Sequence, residues 1–179
     1  MNRHLVALLV FLAIAFGLAY LIDFIAFVPA LQSRNSIATL LVGIARMYTP
    51  FLGVLAAVKI LGLGVKEGLA RYGLRRGVAK YIVLGVATPY ILYAISVALG
   101  LVVGVEIVDP VPALRSLGVE LPVGGALALA LIVLSAVING STMNTLAAIG
   151  EEMGWRGLLL GELGSRLGLY PAAAAIGVV

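Results

Sequence analysis

Cysteine is absent from the 179 residues, which excludes disulfides, thiolate metal sites and thiol nucleophiles. Histidine occurs once, at His4. Charge is also scarce: 11% of residues are Asp, Glu, Lys or Arg, against 63% apolar. A soluble domain of this length rarely carries so little charge, because its surface must be solvated. The net charge of +4 does not point to nucleic acid. Its basic residues crowd one short loop between apolar runs, which is a membrane-side pattern.

The apolar runs divide the chain into candidate spans of about 20 residues, the length needed to cross a hydrocarbon core of roughly 30 Å. The first, Leu5 to Val28, is too long for a signal-peptide core, and no small-residue cleavage pattern ends it, so it reads as a retained span. It holds Asp23 near its end. A carboxylate there costs less than the roughly 2.5–3.5 kcal/mol of a mid-bilayer position, which favours an interfacial role over a buried functional acid. The second span lies within Ile37 to Leu63. Either Met47 to Leu63 crosses alone, or Arg46 faces a protein interior. Span three runs from about Tyr81 to Val105 with a kink expected at Pro89, and span four from about Val123 to Ile149. A fifth run, Leu167 to Val179, reaches only about 20 Å even as a full helix, too short to cross. The expected fold class is therefore all-α: a polytopic membrane helical bundle of four full spans and the start of a fifth, forming one transmembrane domain over residues 1–179.

The loops set an expected topology. Gly64 to Lys80 carries Lys66, Arg71, Arg75, Arg76 and Lys80 against Glu67 alone, and positive loops stay in the cytoplasm. The loop from Glu106 to Pro122 holds Asp109, Glu120 and a lone Arg115, as suits the opposite side. The N-terminus and the end of span four are then cytoplasmic, and the protein is expected to be a multi-pass protein of the cell membrane.

Reactive side chains are concentrated in one segment, Gly150-Glu151-Glu152-Met153-Gly154-Trp155-Arg156-Gly157. On a helix Glu152 and Arg156 are four residues apart and pair along one face in the favourable order. Glu151 points about 100° away, shares its face with Trp155 and has no local cation. A carboxylate held by arginine stays a fixed anion, and its unpaired neighbour is the one placed to exchange protons with water. By itself Glu-Glu-x-x-x-Arg is equally an ordinary salt bridge at a helix end. Upstream, Asn139, Ser141, Thr142 and Asn144 suit either a wet interior or helix packing beside Gly140.

The extended segment resembles the first motif of the CAAX prenyl endopeptidase and bacteriocin-processing (CPBP) intramembrane proteases, Glu-Glu-x-x-x-Arg with Gly-Trp before the arginine and Gly with an apolar run after it. Tyr48-Thr49-Pro50 and the apolar residues behind it look like the family's proline-headed second span, and Tyr72-Gly73-Leu74-Arg75-Arg76 resembles its cytoplasmic Gly-Leu-Arg stretch. The likeness is close over residues 139–163 and loose elsewhere, with the motif core at about 122–179. It implies an intramembrane endopeptidase in which Glu151 activates water, while Glu152 and Arg156 hold the geometry. The implied partners are the lipid bilayer and a membrane-associated peptide, prenylated if the CAAX branch is followed. The cofactor is left unknown, since a divalent metal such as zinc and a metal-free glutamate mechanism both fit. The family's two later motifs, Phe-x-x-x-His and His-x-x-x-Asn/Asp, have no counterpart here. The chain resembles the N-terminal part of such a protease, and alone it is expected to lack half a site. Two other readings follow from the same residues. One is a non-catalytic membrane binding or scaffold protein that keeps the motif for its fold. The other is a small transporter with Asp23, Arg46 and Glu151 along a path, which no repeat of spans supports.

Overall fold

A computed structural model describes residues 2–106, 109–116 and 124–178. Among these the structure is helical throughout, with no strand. We number the helices α1 (Arg3–Gln32), α2 (Ser36–Ile60), α3 (Val65–Arg71), α4 (Ala79–Val102), α5 (Pro110–Ser116), α6 (Gly125–Leu167) and α7 (Leu169–Val178). Four of them, α1, α2, α4 and α6, are long and apolar enough to cross a membrane. Their positions match the four apolar runs, with one difference. The fourth run was expected to end near Ile149, but α6 continues as one 43-residue helix to Leu167, so the acidic motif lies inside a helix rather than at its end. Glu120 and the rest of 117–123 fall outside the described residues.

Local chemistry explains the helix boundaries. Asn2 and Asn35 cap α1 and α2, accepting from the backbone N–H groups of His4 and Ala38, each at 3.0 Å. Proline cannot donate to the carbonyl four residues back. Helix α2 accordingly has a turn at Tyr48, just ahead of Pro50. In α1 a π-helical turn occupies Asp23–Phe27 beside Pro29. Helix α4 accommodates Pro89 without interruption. Helix α6 ends at Gly168, whose φ of +84° is a left-handed conformation open to glycine.

The chain forms two compact units, Met1–Arg75 with Thr145–Val179, and Arg76–Asn144. In the second unit α4 buries none of its residues. The Tyr90 hydroxyl there donates to the Val137 carbonyl at 3.3 Å. Asp109 Oδ1 accepts from the backbone N–H of Val111 at 2.9 Å at the start of α5.

The first unit holds the main core. Helix α1 lies along the later half of α2 and contributes Ala7, Leu8, Phe11 and Ala15. These meet Val54, Ala57 and Val58 of α2, Tyr72 from the loop after α3, and Met153, Leu158 and Leu159 of α6. Phe11 is fully buried. A Cβ added at Gly53 would lie 2.8 Å from its ring, so glycine sets how closely α1 and α2 approach. The buried Thr49 hydroxyl ties the same pair together by donating to the Ala15 carbonyl at 2.9 Å.

Asp23 and Arg46, the two charges inside the first two runs, are partners. Arg46 Nε lies 2.7 Å from Asp23 Oδ1. Arg46 therefore faces another helix of the protein, and Asp23 is a paired acid rather than a solvated one. We expect Asp23→Asn and Arg46→Gln each to cost about 1–2 kcal/mol, less than a fully buried pair because Arg46 is half-exposed. The double variant should cost clearly less than the sum. Unfolding in mild detergent checks this, and additive losses would mean that the pair is not coupled.

Candidate functional site

The motif segment forms α6 from Thr145 through a π-helical turn at Met153–Leu159. Its glycines occupy positions 150, 154 and 157, on one helical face. That face is packed tightly. A Cβ at Gly150 would lie 2.8 Å from the Met47 carbonyl oxygen; one at Gly154 would overlap Pro50 and press on the Phe11 ring, and one at Gly157 would overlap the Tyr72 carbonyl oxygen. The Tyr48 hydroxyl adds a bond to the Leu146 carbonyl at 2.6 Å. With the glycine face turned into the protein, the acids and Arg156 project from the remaining faces.

Glu152 and Arg156 pair as expected from their spacing, with Arg156 Nη1 2.8 Å from Glu152 Oε2 on a largely exposed flank. Among the described residues Glu151 makes neither a hydrogen bond nor an ion pair. It lines two cavities. One, of about 400 Å³, is bordered by Glu151, Glu152, Trp155, Arg156 and Ile176. Ile176 reaches it because α7 turns back at Gly168 and packs on the end of α6. The other, of about 160 Å³, lies among α1, α2 and α6, with Arg46, Thr49, Trp155 and Glu151 in its wall. Trp155 is held at both cavities by the rings of Phe11, edge-on at 5.5 Å, and Phe16 at 5.4 Å. Glu151 thus has an unpaired carboxylate facing two half-open clefts, with an indole wall and the Arg46 cation across the smaller one. This arrangement can hold and polarise a water molecule. Among the described residues no group of three or more His, Asp or Glu is arranged to hold a metal ion.

A second polar cluster lies further along α6, and the sequence reading missed it. Glu162 is buried. Its Oε1 accepts from the Tyr72 hydroxyl at 2.9 Å and meets Arg71 Nη2 at 3.5 Å; its Oε2 lies 2.8 Å from His4 Nδ1. A carboxylate only accepts, so Nδ1 carries the proton in this bond. The chain's single histidine is therefore engaged here, and it lines neither cavity at Glu151. The only signals in the sequence were an acid four residues from the apolar Leu158 and a lone histidine. The three partners lie 90 to 158 residues away in the chain, beyond the reach of periodicity.

Glu162→Ala should cost about 3 kcal/mol, because it strips the tyrosine, arginine and histidine of a shared acceptor in the core. Glu162→Gln should cost less. Burial, and then the bond to Glu162, push the Tyr72 phenol up to about 12 from 10.0. A group whose folded value is raised stabilises the fold below its unfolded value and loses that contribution as pH rises through the folded one. Stability should therefore fall between pH 10 and about 12. Tyr72→Phe should flatten that part of the profile in denaturation measurements.

Comparison of the chain with models of known protein families, with curated proteins and with solved structures found no match.

Proposed function

We propose that this protein is a multi-pass membrane endopeptidase of the CPBP type, hydrolysing peptide bonds of membrane-associated substrates, with Glu151 as general base and Glu152 and Arg156 as positioning groups. The observation that carries the reading is the division of labour within the acidic pair. Glu152 is fixed by Arg156, whereas Glu151 is unpaired and lines two cavities. Under this reading the four apolar helices lie in the cell membrane. On the same reading the basic loop between α2 and α4 and the N-terminus are cytoplasmic, and Glu151 lies deeper, beside Phe16 and Ala19 of α1. Glu151 takes a proton from water as the oxygen attacks the scissile carbonyl, and the proton then passes to the departing amine. The resemblance assigns oxyanion stabilisation to two histidine motifs, neither of which occurs among these 179 residues. The described residues bring no three potential ligands together for a divalent ion such as zinc, so the step is written with Glu151 as the base.

The test is cleavage of labelled membrane-anchored peptides, prenylated and unlipidated, by protein expressed from its own gene and reconstituted in liposomes. Cleavage that persists in Glu151→Gln would remove the assignment of the base. One observation favours a second reading, a non-catalytic scaffold. Gly150, Gly154 and Gly157 each have a packing role, so the motif also makes sense as a device of the fold. A folded, reconstituted protein that cleaves no peptide supports the scaffold.

A further inference from the structure

The first unit contains a third cavity, of about 380 Å³, on the flank of α6 next to the loop after α3. Two guanidinium groups line it, those of Arg71 and Arg156, together with apolar surface from Leu74, Ile149 and Met153. Each arginine is held from one side only. Arg71 lies over the Tyr72 ring, 5.8 Å from its centroid, and touches Glu162 through Nη2. Arg156 touches Glu152 through Nη1. A guanidinium carries five N–H donors in a planar fork, so both retain donors without a protein partner among the described residues. The cavity's one carboxylate, Glu152, is the group that Arg156 already neutralises. Each guanidinium is offset by its own carboxylate, Arg71 by Glu162 and Arg156 by Glu152, so what the site offers is unused N–H donors on two forks suited to a tetrahedral oxyanion, with an apolar wall beside them.

We propose that this cavity binds the phosphate group of an anionic phospholipid, with the two arginines on the phosphate oxygens and the lipid's apolar part against Leu74, Ile149 and Met153. Three points favour a lipid over a soluble phosphate. The apolar wall adjoins the charged forks. Arg71 sits at the end of α3, in the connection that follows one span-length helix and precedes another, at the depth where headgroups lie if those helices cross the bilayer. The exposed Lys66 and Arg75 on the same connection raise the local concentration of anionic lipid without entering the cavity. The proposal shares with the protease reading the bilayer and the Glu152–Arg156 pair. It concerns a different ligand and survives if the protein cleaves nothing.

The test is native mass spectrometry of the full chain in detergent, titrated with short-chain phosphatidylglycerol, phosphatidylcholine or inorganic phosphate. Wild type is expected to retain one phosphatidylglycerol in preference to phosphatidylcholine, and inorganic phosphate in tenfold excess, roughly a 1.4 kcal/mol advantage, should not displace it. Arg156→Gln, at an exposed position that leaves the core intact, should weaken retention about tenfold or more. Arg71→Lys keeps the charge but loses the fork, and it should weaken retention by a smaller factor. The double variant Lys66→Gln/Arg75→Gln removes more charge outside the cavity and should change it less than about threefold. Displacement by inorganic phosphate would overturn the lipid assignment in favour of a soluble anion. Equal retention of phosphatidylcholine, or a loss in the loop variant equal to that in Arg156→Gln, would overturn the site itself.

Discussion

Under the proposed endopeptidase reading, Glu151→Gln is expected to lower the rate of peptide cleavage by about 10³-fold with little change in KM. A general base contributes roughly 10² to 10⁴ to such a reaction, and glutamine cannot accept the proton. A change confined to kcat marks a group that acts in the transition state rather than in substrate binding. The adjacent substitution separates the two acids. In Glu152→Gln an acceptor for Arg156 remains, though the charge-assisted bond at 2.8 Å is weakened. That variant should lose about tenfold, equivalent to roughly 1.4 kcal/mol. Equal losses at the two positions would contradict the asymmetry on which the mechanism rests. Measuring kcat and KM for both variants, with folding checked by circular dichroism, decides it.

Gly157→Ala is expected to be among the most damaging single-methyl additions in the protein. The new Cβ would overlap the carbonyl oxygen of Tyr72. That obstacle is backbone, with no rotamer to swing aside. Helix α6 must move away from the loop after α3, and the move pulls Glu162 from the Tyr72 hydroxyl. Overpacking a tight contact costs about 1–3 kcal/mol; with the loss of the Tyr72 bond added, we expect about 3 kcal/mol or more. Gly161→Ala and Gly164→Ala supply the contrast. They lie on the same helix with nothing within 4 Å of the added Cβ. There the higher helix propensity of alanine should make the change neutral or stabilising by up to about 1 kcal/mol. Unfolding midpoints in mild detergent measure all three, and a Gly157→Ala protein as stable as Gly161→Ala would mean that the glycine face is not packed as described.

Much of the architecture was legible in the sequence. Four apolar runs marked four long helices, since charge spacing alone delimits them. The Glu152–Arg156 pair followed from helical geometry, because its partners are one turn apart. The continuation of α6 to Leu167 was not legible. Glu151, Glu152, Arg156, Glu162 and Arg166 look like the end of an apolar run when hydropathy is read along the chain. Within the fold, glycines 150, 154 and 157 bury one face of that helix against Met47, Pro50 and Tyr72, and the charges are carried on the others. Asp23 and Arg46 were each ambiguous alone, and their pairing across α1 and α2 resolves both. The Glu162 cluster was out of reach, because tertiary structure alone brings His4, Arg71 and Tyr72 to one carboxylate.

The central claim is that Glu151 activates water rather than attacking the peptide itself. Single-turnover cleavage in heavy-oxygen water tests it most directly. The account predicts one heavy oxygen in the new carboxyl terminus of the product, none in the Glu151 side chain, and labelled product forming about 10³-fold more slowly in Glu151→Gln. Heavy oxygen recovered in the Glu151 carboxylate, or undiminished labelling of product by the glutamine variant, would contradict it.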